Sequence, residues 1–339
     1  MIRVAVVGFG FMGRMHLRCW KALEEVQVAA ICDANPDTVG DTKKARGNIE
    51  GSAEQVDLTS ALIYQDFDKL LSEQKLDAVS LTLPTHLHAG FSIKALKAGV
   101  NVLCEKPMAL NVADCNRMIE AAKASGKVLQ IGHCIRFWPE YAKAKEIVAR
   151  SEYGKVVVAT FRRLGAAPNW ASDNWLMDER RSGGMALDMH VHDTDFVQYL
   201  FGLPRAVRSF GARDASKRLV HVASRYIFDD EKIVLAEGSW AMMPTFGFDM
   251  SFNIALEKAT LIYGCTNEPK FRICPVEGEA FTPEMEVGDG YLLEIAHFAK
   301  QIRGEEIETV TTLEQSRYSV RIVEAEMESV KRDGEVVPV

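Results

Sequence analysis

Residues 4–13 read Val4-Ala5-Val6-Val7-Gly8-Phe9-Gly10-Phe11-Met12-Gly13. An apolar run stops at a Gly-x-Gly-x-x-Gly motif, and apolar residues at helical spacing follow it. This order predicts a strand, a tight turn and a helix, with Gly8 in the turn, Gly10 under a pyrophosphate and Gly13 against the strand. We therefore expect the whole loop, with Phe9, Phe11 and Met12, to bind a dinucleotide at the helix N-terminus.

A second strand, predicted over Val26–Cys32, ends at an acidic residue that completes this pattern. Asp33 lies twenty residues beyond Gly13, where a carboxylate binds a ribose 2′-hydroxyl and repels a 2′-phosphate. The predicted cofactor is therefore NAD. Basic residues near the motif leave use of NADP open, and they are Arg14, Lys43 and Lys44.

Length and composition exclude several classes of protein. A chain of 339 residues exceeds one usual core, so two domains are expected. The net charge of −7 argues against a nucleic-acid partner, and a solvated loop explains the basic cluster of Lys43, Lys44 and Arg46. No apolar stretch predicts a membrane span, and a strand starting at residue 2 leaves no room for a signal peptide. Seven scattered cysteines, without a metal-like grouping, predict reduced thiols in a cytoplasmic protein.

The pattern of elements predicts an α/β protein with two domains. Residues 1–135 alternate strands and helices, as a parallel, doubly wound sheet requires, and a polar stretch at 35–57 reads as a helix and a loop. Residues 136–339 carry successive strands that predict a large, mostly antiparallel open sheet, with a helix from Gly184 to Leu200 and two helices at the end. The outer face of that sheet is expected to form a homodimer or homotetramer interface.

Three groups of residues suggest chemistry beyond nucleotide binding. Leu83-Pro84 with His86 and His88, and Glu105-Lys106-Pro107, follow two strands and reach the same sheet edge. On the predicted helix, Asp188 and His192 are four residues apart and share a face, with Asp195 near the same stripe and His190 off it. Ordinary readings remain open: the histidines after Pro84 begin a helix, and Lys106 forms a surface ion pair with Glu105.

These motifs, in this order, resemble the glucose–fructose oxidoreductase/inositol dehydrogenase (Gfo/Idh/MocA) family. The resemblance spans nearly the whole chain, and it includes Gly132-His133, Arg136 and Gly183-Gly184. It implies a Rossmann domain and an oligomeric sheet domain that oxidises a sugar or polyol. It also implies that Lys106, Asp188 and His192 form the acid–base set, with Leu83, Pro84, His88 and Glu105 near the cofactor. No metal is implied. The family often has Thr-Pro-Asn where this chain has Leu83-Pro84-Thr85.

Two other functions stay open at the level of the sequence. One is a redox-neutral lyase or glycoside-cleaving reaction with tightly held NAD, and the other is a nucleotide-binding homologue without turnover. The substrate cannot be read from the sequence. Residues considered for its pocket are Arg162, Arg163, Trp170, Trp175, Arg180 and Arg181, whereas Trp240 and Tyr291 are expected to pack in the core.

Overall fold

A computed structural model of the chain describes residues 1–40, 58, 61–169 and 172–339. The described residues form two compact units. The first comprises Met1–Cys134, Asn169–Ser182 and Asp289–Arg317, and the second comprises Ile135–Pro168, Gly183–Gly288 and Tyr318–Val339. Lys43, Lys44, Arg46 and Trp170 lie outside the described residues, as does most of the polar stretch predicted at 35–57.

The first unit is built on a six-stranded parallel sheet. Its strands are β1 (Ile2–Val7), β2 (Val26–Cys32), β3 (Leu62–Tyr64), β4 (Ala78–Leu81), β5 (Asn101–Glu105) and β6 (Leu129–Gly132). Their order is β3-β2-β1-β4-β5-β6, which reverses direction between β1 and β4. Ligands of such sheets bind beyond the carboxyl ends of the strands at that point. The predicted doubly wound Rossmann fold is confirmed.

Helices connect these strands and extend the first unit. They are α1 (Phe11–Ala22), α2 (Pro36–Gly40), α3 (Phe67–Glu73), α4 (Thr85–Lys97) and α5 (Val112–Ser125), with α7 (Glu179–Ser182) and α9 (Gly290–Ile302) from later in the chain. Local sequence sets several ends. Asn111 accepts the amide N–H of Asp114 at the start of α5, and Gly126 ends that helix with a φ of 64°.

The second unit contains an eight-stranded sheet. Its strands are β7 (Val156–Gly165), β8 (Ala206–Arg213), β9 (Leu219–Ile227), β10 (Ile233–Ser239), β11 (Phe248–Leu256), β12 (Ala259–Gly264), β13 (Phe271–Pro275) and β14 (Val337–Pro338), in the order β13-β12-β11-β7-β10-β9-β8-β14. Neighbouring strands pair antiparallel except β7 and β10, which pair in parallel. The predicted mostly antiparallel sheet is confirmed.

The helices of the second unit cover one face of this sheet, which places the core there. They are α6 (Pro139–Arg150), a π-helix at Ala186–His190, α8 (Val191–Phe201) and α10 (Leu313–Lys331, of which residues 318–331 belong to this unit). Short 3₁₀ turns occur at Cys134–Phe137 and Pro244–Phe246, and a third, at Ser172–Met177, belongs to the first unit. Phe161, Phe252 and Phe196 are buried and in mutual ring contact. Side chains on the other face of the sheet, including Ile233 and Leu235, are exposed.

The two units differ from the continuous ranges 1–135 and 136–339 predicted from the sequence. Helix α9 belongs to the first unit because its apolar side packs on α1, where the rings of Trp20 and Phe298 lie 6.1 Å apart. Gln130 of β6 also donates to the carbonyl oxygen of Glu294, at 3.3 Å. Which ranges fold independently stays a prediction.

Candidate active site

The glycine loop has the backbone shape that a bound pyrophosphate needs. Gly8 adopts a φ of 87°, and a Cβ there would lie 2.6 Å from the carbonyl oxygen of Thr82. A Cβ on Gly13 would lie 2.1 Å from the carbonyl oxygen of Gly8. On Gly10, by contrast, a Cβ would meet no described atom within 4 Å. The loop is therefore closed on the strand side and open above Gly10, at the N-terminus of α1.

Asp33 is tied to this loop by the backbone. Its Oδ2 accepts the amide N–H of Phe9 at 2.6 Å, and its Oδ1 accepts that of Asn35 at 2.8 Å. The Phe9 side chain is buried, with the guanidinium of Arg14 4.7 Å from its ring centre. Arg14 also donates to the carbonyl oxygen of Thr38 at 2.7 Å. These residues fit a dinucleotide: Asp33 stands partly exposed at the end of β2, and Arg14 is engaged with protein groups.

His88 connects the segments that follow β4 and β5. Its Nδ1 lies 2.8 Å from the carbonyl oxygen of Pro107 and its Nε2 lies 2.8 Å from that of Leu83. The ring is buried, and burial lowers the pKa of His88 below its usual value. Leu83 and Pro84 themselves remain partly exposed. The contacts of His88 are those of a residue that positions the two loops.

Glu105 and Lys106 lie at the end of β5 and differ in exposure. The Glu105 carboxylate is buried, and its Oε1 lies 2.9 Å from Nε2 of His16. Burial raises the pKa of Glu105, but the hydrogen bond to His16 and nearby positive charge outweigh it, so the pKa lies below its usual value. Lys106 is partly exposed at the carboxyl edge of the sheet.

The helix predicted from Gly184 to Leu200 is confirmed, but it is not a uniform α-helix. Ala186–His190 forms a π-helix, and the amide N–H of Val191 bonds back to the carbonyl oxygen of Ala186. The wider π turn changes the angular spacing of the residues that flank it. Such turns are rare, occur mostly inside α-helices and are frequent at functional sites.

Asp188 and His192 stand out within this segment by their exposure. Between residues 184 and 200 the partly exposed residues are Asp188, His192 and Tyr199, and all the others are buried. Asp195, predicted near the same stripe, is buried, and its carboxylate forms an ion pair with Arg136, with both N–O distances 2.8 Å. The segment thus leaves one carboxylate and one imidazole at the surface.

Other polar side chains of the segment are buried and hold it in place through ion pairs and hydrogen bonds. Asp193 accepts from Nε of Arg163 at 2.8 Å in a second buried ion pair. His190 lies 3.3 Å from Oε1 of Glu326, and that carboxylate raises the pKa of His190 against the opposing effect of burial. The backbone of Gly238 in β10 lies against the same ring. His190 is therefore a core residue, as its position off the predicted face indicated.

Gly238→Ala should disturb the site through this packing. The new Cβ would lie 2.9 Å from both Cβ and Nδ1 of His190, so the π-helix must shift. We expect the free energy of unfolding to fall by about 1–3 kcal/mol, as overpacked cores do. Denaturant titration measures this. Gly90→Ala, at an exposed position of α4, is the control, and it should gain stability by about 0.5–1 kcal/mol. Equal stability of the two variants would contradict the packing argument.

The residues considered for a substrate pocket differ in how exposed they are. Arg163, one of the residues considered for the pocket, is buried in its ion pair with Asp193. Arg162 lies on the exposed sheet face, 3.6 Å from Asp249, and Arg180 is exposed beside Asp178. Trp175 is partly exposed. Trp240 and Tyr291 are buried, as predicted.

The predicted acid–base set is divided between the two units. Lys106 belongs to the first unit, and Asp188 and His192 belong to the second. Over the described ranges, no group of three or more His, Cys, Asp or Glu side chains is arranged to hold a metal ion. None of the helices in these ranges is both long and apolar enough to cross a bilayer.

Two family profiles match successive parts of the chain. The profile described as an oxidoreductase family with an NAD-binding Rossmann fold matches residues 2–133. The profile of the GFO/IDH/MocA C-terminal domain matches residues 141–262. Together the two profiles cover most of the sequence.

Individual relatives and structures are similar to different extents. The scyllo-inositol 2-dehydrogenase (NAD(+)) of Bacillus subtilis is 28% identical over 327 residues, which is 92% of this chain and 90% of the relative. The 2,7-anhydro-N-acetylneuraminate hydratase of Mediterraneibacter gnavus is 31% identical over 212 residues, 62% of this chain and 52% of the relative. The matched region spans about half the length of this and two other curated relatives. The aldose-aldose oxidoreductase of Caulobacter crescentus superimposes with a TM-score of 0.83 at 20% identity, over 100% of this chain and 99% of that one, and supports the fold.

Proposed function

Because the chain belongs to the Gfo/Idh/MocA family of oxidoreductases with an NAD-binding Rossmann fold, we propose that it is an NAD-dependent dehydrogenase. Its substrate would be a sugar, a cyclic polyol or a sugar derivative, oxidised at a hydroxyl-bearing carbon. The observation that carries the proposal is that Asp188 and His192 are partly exposed. Two acidic residues close to them in sequence, Asp193 and Asp195, are instead buried in ion pairs with arginine. Two groups suited to proton transfer are thus left accessible.

The roles follow from the chemistry of the three side chains. His192 would take the hydroxyl proton, and Asp188 would fix its tautomer and stabilise the imidazolium that forms. Lys106 would hydrogen-bond the reacting oxygen. NAD, when bound, supplies the hydride acceptor. The loop Gly8–Gly13 and Asp33 would hold its pyrophosphate and ribose, with Leu83, Pro84 and Glu105 beside the nicotinamide half.

Asp33 favours NAD over NADP. Its carboxylate has the hydrogen-bonding capacity for a ribose 2′-hydroxyl and would repel a 2′-phosphate. Arg14, which could have offset this charge, is directed to Phe9 and Thr38. A KM for NADP below that for NAD would contradict this preference.

The experiment that tests the function is absorbance at 340 nm with purified protein. NAD or NADP is supplied with inositols, aldoses, sugar acids and anhydrosugars. Steady formation of NADH with one class supports the dehydrogenase and identifies the substrate class. No NADH with any of them, from protein that binds NAD, contradicts it.

A second candidate function is redox-neutral chemistry with tightly held NAD. It is favoured by the relative named 2,7-anhydro-N-acetylneuraminate hydratase, because hydration involves no net oxidation. This function predicts NAD that survives purification and conversion of substrate without NADH. A nucleotide-binding homologue without turnover remains the third alternative, and consumption of any substrate excludes it.

The exposed face of the eight-stranded sheet supports self-association. Apolar side chains exposed on its strands are Val157, Phe210, Ile233 and Leu235. We expect a homodimer or homotetramer through this face, formed by the substrate-binding domain at 136–339, and light scattering that gives a monomer mass would contradict it. A cytoplasmic location, predicted from reduced cysteines, agrees with the seven free thiols.

A further inference from the structure

A buried chain of hydrogen bonds in the first unit runs from α1 to the loop that carries Lys106. Nε1–H of Trp20 donates to Oγ of Ser80 at 2.9 Å. Oγ of Ser80 lies 3.0 Å from Nδ1 of His16, and Nε2 of His16 lies 2.9 Å from Oε1 of Glu105. All four side chains are buried, and they come from α1, β4 and β5. They are therefore linked without help from solvent.

The indole N–H at one end of this chain limits the direction of its hydrogen bonds. An indole N–H can only donate, so Ser80 accepts from Trp20 and has one hydroxyl proton left to donate. If that proton goes to Nδ1 of His16, Nε2 of His16 carries the ring proton and donates to Glu105. Every polar atom named here then has a partner, and the Glu105 carboxylate is the acceptor at the end of the chain.

The second oxygen of Glu105 reaches the backbone of the proposed catalytic lysine. Oε2 accepts the amide N–H of Lys106 at 3.2 Å. On the other side, a Cβ on Gly132 would lie 3.3 Å from Oε1, so β6 packs closely against the carboxylate. The carboxylate is thus held in one orientation by His16, by the Lys106 amide and by Gly132.

We propose that His16 is a positioning residue for Lys106, which it reaches through Glu105. The helix that carries His16 begins at the glycine loop, so one rigid element joins the dinucleotide-binding loop to the lysine loop. His16 has no exposed surface and is not assigned a contact with substrate. The inference rests on the proposed function in one point, which is that Lys106 hydrogen-bonds the reacting oxygen of the substrate.

Two substitutions of His16 by amide side chains distinguish a positioning role from ordinary packing in the core. In His16→Gln the side-chain amide nitrogen reaches about as far as Nε2 and can donate to Glu105. In His16→Asn the amide reaches only about as far as Nδ1, so it can bond to Ser80 but not to Glu105. Both place a neutral amide in the same buried site, and only His16→Gln keeps the hydrogen bond to Glu105.

In the dehydrogenase assay, His16→Asn should lower kcat about 10- to 100-fold, as expected when a reacting group is misplaced by around 1 Å. His16→Gln should keep kcat within about threefold of the wild type, and both should keep the KM for NAD within about threefold. Equal loss of kcat in the two variants would overturn the proposal, as would a change confined to the KM for NAD.

A second readout needs neither cofactor nor substrate. Acetic anhydride labels lysine amines, and mass spectrometry gives the rate at Lys106 relative to exposed Lys97 on α4. His16→Asn should change this relative rate at least about threefold, because the Glu105 charge beside Lys106 is displaced, and His16→Gln should leave it close to that of the wild type. Identical labelling of both variants and the wild type would overturn the proposal. The expected labelling without any turnover by the wild type would overturn the dehydrogenase alone.

Thermal melting shows that the variants are folded. Ser80→Ala is the milder substitution if His16→Asn does not fold. It removes the hydroxyl that sets the His16 tautomer, and it should shift the Lys106 labelling rate in the same direction by a smaller factor. No shift in Ser80→Ala, together with an unfolded His16→Asn, would count against the positioning role.

Discussion

His192→Ala and Lys106→Ala should each lower kcat about 100- to 10,000-fold, the usual contribution of a positioned acid–base group. His192 lies partly exposed on α8 just after the π-helix, and Lys106 lies partly exposed after β5. Neither belongs to the buried ion pairs described above, so both variants should fold. Steady-state kinetics at 340 nm with the substrate found in the panel measures the effect.

Two control variants test whether a loss of kcat reflects general damage to the fold. His221→Ala on β9 and Lys97→Ala on α4 remove the same side chains from positions without a proposed role, and they should keep kcat within about threefold. The Kd for NAD of the two active-site variants should also change little. If either variant keeps full kcat, that residue does not perform the role proposed for it.

Gly10→Ala should strongly weaken dinucleotide binding without destabilising the protein. The new Cβ would meet no described atom within 4 Å, and it would occupy the space above the loop where the pyrophosphate is proposed to lie. We expect the Kd for NAD to rise about 100-fold or more, which corresponds to about 2.7 kcal/mol. Fluorescence titration with NADH and a thermal melt measure the two properties on the same sample.

Gly13→Ala is the contrasting variant, since its Cβ would lie 2.1 Å from the carbonyl oxygen of Gly8. It should lose both binding and stability. Gly90→Ala should lose neither. Unchanged NADH affinity in Gly10→Ala would show that the open space above the loop is not the pyrophosphate site.

The sequence predicted the parallel sheet well because the relevant signals are local. Val26–Cys32 is a strand with the predicted bounds, since it is a short, mostly apolar run followed by an acidic residue. Gly8 and Gly13 are required by contacts within a few residues or on the adjacent strand. The antiparallel character of the second sheet was also predictable, from successive strands without intervening helices.

The features that could not be predicted from the sequence depend on contacts between residues that lie far apart along the chain. No periodicity shows that His190 pairs with Glu326, or that His16 pairs with Glu105, because the partners lie 136 and 89 residues away. The π-helix was missed because apolar spacing predicts a helix without specifying its turn. Asp195 was placed near the proposed site on spacing alone, whereas burial beside Arg136 decides its role.

The measurement that tests the central claim most directly follows the transferred hydrogen. The protein is incubated with NAD and a polyol that carries deuterium on its carbinol carbons, and the reduced cofactor is examined by mass spectrometry. The account predicts one deuterium on each NADH formed. Product that forms while all deuterium stays in the sugar and no NADH accumulates would contradict net oxidation, and favour redox-neutral chemistry at the same site.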